Sequence, residues 1–373
     1  MKILFAAGGT GGHINPALAV AGEIRERYPD AEILFVGTKD KMEAKLVPNA
    51  GFDFTTIKIS GFQRKISIVN IFRNLLTVWY LLTCNGRVKK ILRSFNPDVV
   101  VGFGGYVSGP VVRMAAKLGI PTAIHEQNAY PGITNKALAK VVDRVMLTAG
   151  EAEKYLEPKN SVTVTGLPVR GAMLKADRDI SRAQLGIKDN QKLILSMGGS
   201  LGAMTINNAM VDLITAHSGN KELYFLHAMG QYGLWVPEKL KKNGVDTENT
   251  SNVEIREYIS DMDVCMSAAD LVVCRAGASS LSELQALGKA SILIPSPNVA
   301  ENHQYHNAMA LVNKNAARVI EEKELTKEKM NDLFLSLVND DELRKEIEQN
   351  AKAMAVSDAK EKIADIVVSL IKA

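Results

Sequence analysis

A short apolar strand, Lys2 to Ala7, runs directly into Gly8-Gly9-Thr10-Gly11-Gly12-His13. Four glycines in five residues are unsuited to the interior of a strand or helix. The segment therefore predicts a sharp turn whose backbone N–H groups point at a ligand. Asn15-Pro16 supplies a helix N-cap and a first-turn proline, so a helix is expected to start there. Strand, glycine turn and helix start together make an anion site, because the first helical N–H groups lack partners and the helix dipole is positive at that end. His13 lies inside this turn. An imidazole titrates near neutral pH, so it can take a proton beside a bound phosphate. Capping of the turn is the structural alternative for this histidine.

The 373 residues exceed one ordinary core, and two domains of about 150–200 residues each are expected. Apolar strands recur with helical patterns between them. In the first half they fall near Ile3–Ala7, Glu32–Val36, Val99–Phe103, Thr122–His125 and Arg144–Leu147. In the second they fall near Lys192–Met197, Glu222–Leu226, Val253–Ile255, Leu271–Cys274 and Ser291–Ile294. Such alternation implies an α/β fold: two Rossmann-like, doubly wound parallel-sheet domains. The expected division is 1–165 and 166–351, with the linker at Gly166-Leu167-Pro168 and a helical tail over Asp341–Ala373. Ligands of such sheets bind at the carboxyl ends of strands, so two facing domains would hold a site in the cleft between them.

Two more glycine turns follow strands, Gly102-Phe103-Gly104-Gly105 with Pro110 beyond it, and Gly198-Gly199-Ser200-Leu201-Gly202-Ala203. One such turn could serve sterics alone; three in one chain point to phosphate. None is a Walker A loop, and none is a clean dinucleotide fingerprint with an acidic residue about 20 positions on, which disfavours an NAD-dependent oxidoreductase. After the strand at Leu271 comes Arg275, then Ser280 and Glu283 at capping-box spacing. Glu283 is thus either a cap or an acceptor for sugar hydroxyls. His125-Glu126-Gln127-Asn128 at a strand end reads as a polar binding surface or a solvated turn. His303 and His306 have no convergent third ligand, so no metal is expected. Cys84, Cys265 and Cys274 show no CxxC spacing, which argues against disulfides and structural zinc and suits a reducing cytoplasm. No signal peptide and no apolar run of transmembrane length is evident.

The net charge of +4 is modest, and nothing in its pattern suggests a nucleic-acid partner, but its distribution is uneven. No acidic residue lies between Asp53 and Asp98, whereas Lys58, Arg64, Lys65, Arg73, Arg87, Lys89, Lys90 and Arg93 do. Ile68, Ile71, Phe72, Leu75, Leu76 and Trp79 fall at helical spacing in the same stretch. A basic, apolar helix of this kind fits either an anionic membrane surface or a core helix beside a solvated basic face.

GGTGGH, GGYVSGP, HEQN, Gly166-Leu167-Pro168-Val169-Arg170, GGSLGA, CRAGASSLSE and the His303-Gln304-Tyr305 cluster occur in an order that resembles one family, the UDP-N-acetylglucosamine–N-acetylmuramyl-(pentapeptide) pyrophosphoryl-undecaprenol N-acetylglucosamine transferases of bacterial peptidoglycan synthesis. The resemblance implies the GT-B glycosyltransferase fold, with a C-terminal helix, about 352–373, packing back on the N-terminal domain. It implies inverting, cofactor-free and metal-independent transfer of N-acetylglucosamine from UDP-N-acetylglucosamine to the 4-hydroxyl of the undecaprenyl-linked muramyl-pentapeptide acceptor. His13 is then the candidate base, with binding of the acceptor diphosphate as its rival role. By similarity Thr10, Gly11, Gly12 and Asn128 line the sugar side, Ser200 and Arg170 meet the diphosphate, and the backbone of Ile259 meets uracil. Glu283 takes the ribose hydroxyls and Gln304 the donor sugar. His303 departs from the glutamine that some members carry there. The family further implies a peripheral place on the cytoplasmic face of the bacterial membrane, near other cell-wall synthesis proteins. An epimerase on the same fold and a non-catalytic nucleotide-binding scaffold are the alternatives.

Overall fold

The computed structural model describes residues 1–61 and 83–372. The chain divides into two compact units, Met1–Pro168 with Asp358–Ala373, and Val169–Ser357. The apolar stripe from Ile68 to Trp79, expected either on a membrane surface or in the core, lies outside the described residues.

Among the described residues, the first unit holds seven parallel strands. These are β1 (Lys2–Ala7), β2 (Glu32–Gly37), β3 (Asp53–Thr56), β4 (Val99–Gly104), β5 (Thr122–Glu126), β6 (Arg144–Leu147) and β7 (Val162–Val164). Their order is β3-β2-β1-β4-β5-β6-β7. The order reverses between β1 and β4, which opens a crevice at the carboxyl ends of those two strands. Central strands such as Val99–Gly104 are buried along their whole length, as expected for a sheet covered on both faces. Phe5 stacks on Phe35 at 5.1 Å between ring centres, with Phe103 beside it.

The helix Ala359–Lys372 completes this core. Its Ile363, Ala364, Val367 and Leu370 are buried in one cluster with Ala17, Val20, Ala21 and Ile24 of the helix Gly11–Arg27. Lys360 and Arg27 both reach Glu23 at 2.6 Å, and Arg27 also pairs with Asp365. The Lys360 ammonium, together with Arg27, holds the Glu23 carboxyl below its usual range.

The second unit carries β8 (Lys192–Met197), β9 (Leu223–Ala228), β10 (Val253–Arg256), β11 (Leu271–Cys274), β12 (Ser291–Leu293) and β13 (Arg318–Val319), in the order β10-β9-β8-β11-β12-β13. All pairs are parallel, and the reversal falls between β8 and β11. Asp270, just before β11, accepts hydrogen bonds from Arg178, Arg182 and the Leu193 amide, tying the helix Arg178–Leu185 to the sheet.

Several expectations change. The first helix starts at Gly11, not at Asn15, so Pro16 sits inside it. Gly11 and Gly12 are tolerated because first-turn residues need no intrahelical N–H partner. The tail is two helices, Asp341–Ala353 and Ala359–Lys372, not one. Ser357 and Asp358 between them compete for backbone hydrogen bonds and favour helix ends over interiors. The short edge strands β3, β7 and β13 add to the expected set; with only two to four residues each they are too short to show a strand pattern. No helix among the described residues is long and apolar enough to cross a membrane.

Candidate functional site

In the first unit the turns after β1 and β4 meet. Gly105 has φ +77°, and a Cβ there would lie 2.2 Å from the Gly8 carbonyl oxygen. Gly104, at φ +100°, lets the His13 ring pack on the backbone, since a Cβ would sit 2.7 Å from Nδ1. The buried Ser108 hydroxyl lies 2.7 Å from the Ala6 carbonyl and accepts from the Gly104 amide, stapling the two strand ends. The buried Glu43 carboxylate accepts from Gly9 N at 3.0 Å and from the amide and hydroxyl of Thr38. One amide of the glycine turn is therefore already committed to an internal anion. Thr10 is the N-cap of the helix but caps it with its backbone only, which leaves the first-turn amides of Gly11 and Gly12 at the crevice.

His13, placed on the first helical turn, hydrogen-bonds through Nδ1 to Gln127 Oε1 at 2.9 Å. Gln127 Nε2 donates to the carbonyls of Phe103 and His125 at 2.9 and 3.1 Å and lies 3.2 Å from His125 Nδ1. His125 Nε2 in turn meets the Gly166 carbonyl at 2.9 Å. Burial drives the His125 pKa down to about 4. Glu126 is buried as well, and its two oxygens accept from Asn128, Gly132 and Asn135. The HEQN segment is thus neither a binding surface nor a solvated turn over its first three residues; it is an internal hydrogen-bonded network that presents Asn128 beside His13's anchor.

The second unit repeats the arrangement. Gly202, at φ +82°, approaches the Met229 carbonyl so closely that a Cβ would lie 2.1 Å away. This closes the turn after β8 against the turn after β9 and leaves Ser200 exposed at its tip, four residues before the helix Met204–His217. Ile259 follows β10 with its side chain buried. Glu283 lies on the helix Ala278–Leu287, whose N-cap is Gly277, so Ser280 is not a cap and the capping-box explanation of Glu283 fails. Its carboxylate instead accepts from Arg170 Nε at 2.8 Å. Burial pushes the Glu283 pKa up, against the pull of Arg170. Arg275 is committed to the Ile294 carbonyl and to Glu322. Gln304 Oε1 accepts from Ser296 N at 2.9 Å. Just before it, Glu301 and Asn302 both take positive φ, 54° and 48°, a strained pair at the start of the helix His303–Val312.

Arg170 and Glu283 are brought into contact, whereas Ser200 and Ile259 come from separate turns after β8 and β10, and Gln304 from the first turn of the helix His303–Val312. Glu43, Ser108 and the linking role of Gln127 were missed from the sequence. All three act through contacts between residues far apart in the chain, which no local pattern records.

A family model described as the glycosyltransferase family 28 N-terminal domain matches residues 3–147, and one described as the family 28 C-terminal domain matches residues 193–363. A relative from Acetivibrio thermocellus, named UDP-N-acetylglucosamine–N-acetylmuramyl-(pentapeptide) pyrophosphoryl-undecaprenol N-acetylglucosamine transferase, is 44% identical over 100% of this chain and 99% of its own. One of the same name from Desulforamulus reducens is 43% identical over 96% of each. The crystal structure of Acinetobacter baumannii MurG superposes with a TM-score of 0.81 at 28% identity, covering 99% of both chains. A UDP-GlcNAc 2-epimerase from Neisseria meningitidis reaches a TM-score of 0.67 at 15% identity over 99% of this chain and all of its own, a likeness of fold alone.

Proposed function

We infer the reaction from one premise: the chain belongs to glycosyltransferase family 28, whose two domain models match its two halves in order. It is a hexosyltransferase of the GT-B fold. It transfers N-acetylglucosamine from UDP-N-acetylglucosamine to the lipid-linked N-acetylmuramyl-pentapeptide acceptor in peptidoglycan synthesis.

His13 is the base. The observation that carries this is its Nδ1 contact with Gln127, which leaves Nε2 without a partner among the described residues, at the mouth of the first sheet. Nε2 takes the proton from the acceptor 4-hydroxyl as that oxygen attacks C1 of the donor sugar. The C1–O bond to UDP breaks from the opposite side, and its electron pair leaves on the β-phosphate, so the configuration at C1 inverts. Gly11 and Gly12 amides and Thr10 orient the acceptor side, with Asn128 beside them. On the second unit the turn bearing Ser200 receives the diphosphate, where backbone amides supply preorganised positive charge. Arg170 spends its Nε on Glu283 and has its terminal nitrogens for phosphate. Glu283 then meets the ribose hydroxyls, the Ile259 backbone the uracil, and the amide nitrogen of Gln304 the donor sugar.

The chain works peripherally on an anionic membrane surface, at the cytoplasmic face. Helical residues 83–95 support this: Cys84, Val88, Ile91 and Leu92 face the core, whereas Arg87, Lys89, Lys90 and Arg93 are exposed with no acidic neighbour in the helix. Each exposed base near an anionic leaflet contributes about 1 kcal/mol.

The test is UDP release from UDP-N-acetylglucosamine with a lipid-linked muramyl acceptor. His13→Ala is expected to lower turnover about 10²–10⁴-fold while donor binding persists. Unchanged turnover removes the base assignment.

A further inference from the structure

We propose that Gln127 is a positioning residue that fixes the tautomer of His13, at the head of a relay running from the Gly166 carbonyl through His125. The proposal rests on His13 being the base, and it deepens that reading.

Each link is dictated by what its partners can do. The Gly166 carbonyl only accepts, so His125 Nε2 carries the proton of that 2.9 Å bond. His125 is neutral well below neutral pH, with its pKa near 4. Its Nδ1 is therefore a lone pair facing Gln127 Nε2 at 3.2 Å, where it shares one of the two amide protons with the His125 carbonyl. The carbonyls of Phe103 and His125 likewise only accept, so the amide nitrogen of Gln127 must face them. That orientation leaves Oε1 for His13, and an amide oxygen only accepts. His13 Nδ1 consequently donates, and the lone pair of the neutral ring lies on Nε2. The other tautomer would set two acceptors face to face across 2.9 Å. Gly104 packs against the ring and leaves no side chain to push it off this line. His125, across Gln127, is uncharged at working pH, since burial holds its pKa near 4. Glu43 is turned to Gly9 and Thr38.

Gln127 holds the tautomer without supplying negative charge, so it orients the ring and nothing more.

The experiment compares the parent chain with Gln127→Met, Gln127→Glu and His13→Ala. Long-range proton–nitrogen NMR correlations of the labelled protein report the tautomer, with the His13 signals identified by their loss in His13→Ala. The parent is expected to show His13 protonated at Nδ1, and Gln127→Met a mixture of tautomers. In the UDP-release assay Gln127→Met lowers kcat about 10- to 100-fold with both KM values little changed, the size typical of losing a group that orients a ligand or base. Gln127→Glu keeps one oxygen to accept from His13 Nδ1, while its other oxygen must hold a proton to face the Phe103 and His125 carbonyls, so His13 stays protonated at Nδ1 and kcat exceeds that of Gln127→Met. Three results overturn the proposal: a parent His13 protonated at Nε2, a Gln127→Met chain with unchanged tautomer and kcat, or equal losses of kcat in both Gln127 variants. A His13→Ala chain as active as the parent, with the parent tautomer as assigned, removes the base reading itself and identifies that reading as the failure.

Discussion

Gly105→Ala isolates the close approach of the two glycine turns in the first unit. The substitution meets two costs. Gly105 has φ +77°, and an alanine held there costs about 1–2 kcal/mol. Its Cβ would also stand 2.2 Å from the Gly8 carbonyl oxygen, where real Cβ contacts do not fall under 3.0 Å. The turns must therefore separate by about 0.8 Å, and backbone on both sides resists. The displaced segment carries His13 and the first-turn amides, and a misplacement of about 1 Å costs on the order of 10²-fold in rate. Gly119→Ala is the control. It lies in the same unit at φ +74°, with nothing within 4 Å of the added carbon, so it meets the first cost alone. Both chains are assayed for UDP release and for thermal unfolding. Gly119→Ala should unfold about 2–4 °C lower per kcal/mol with kcat unchanged. Gly105→Ala should unfold lower still and lose kcat about 10²-fold. Equal behaviour of the two variants would refute the claim that this contact sets the geometry of the site.

Three further outcomes are expected. His227 is buried beside Ser196, and burial drives its pKa to about 4, below the unfolded value of about 6.5. The unfolded chain binds the extra proton between those values, so stability is full above about pH 6.5 and falls toward pH 4, by up to about 3 kcal/mol; denaturant titrations across that range should show a shallower slope for His227→Gln, and an identical slope counts against the account. Glu43→Gln takes the carboxylate from Gly9 and Thr38 and should cost about 1–3 kcal/mol while lowering kcat/KM for the acceptor and sparing the donor KM; an unaltered acceptor kcat/KM would speak against the role of this clamp. Ile363→Ala should destabilise the first unit by about 2–4 kcal/mol in chemical denaturation, since Ile363 is wholly buried against the helix Gly11–Arg27, and a loss under 1 kcal/mol would contradict that packing.

The core of the fold was legible because parallel strands buried on both faces are written as continuous apolar runs, such as Lys2–Ala7 and Val99–Gly104. β13, with only Arg318 and Val319, was not, because an edge strand's pairing is decided by its neighbour. The glycine turns were legible as turns, yet the sequence could not say that Gly104 makes room for an imidazole while Gly105 makes room for a carbonyl. Glu283 fitted a capping pattern by spacing and was taken by Arg170 instead, 113 residues away. Gln127 is the sharpest case. Its place in a row of four polar residues fitted a binding surface and a solvated turn equally, and only the pairing of β5 beside β4 shows that it is turned inward.

The first unit draws its last helix from beyond the whole of the second. During synthesis, the residues Val169–Ser357 must be made before Ala359–Lys372 can dock. At the usual pace of translation that interval lasts roughly 10–40 s. For that time the cluster that holds Ala17, Val20, Ala21 and Ile24 lacks Ile363, Ala364, Val367 and Leu370. The half bearing His13 is thus obliged to mature last although the ribosome releases it first, and it is the half with the greater need of a holdase while translation is under way.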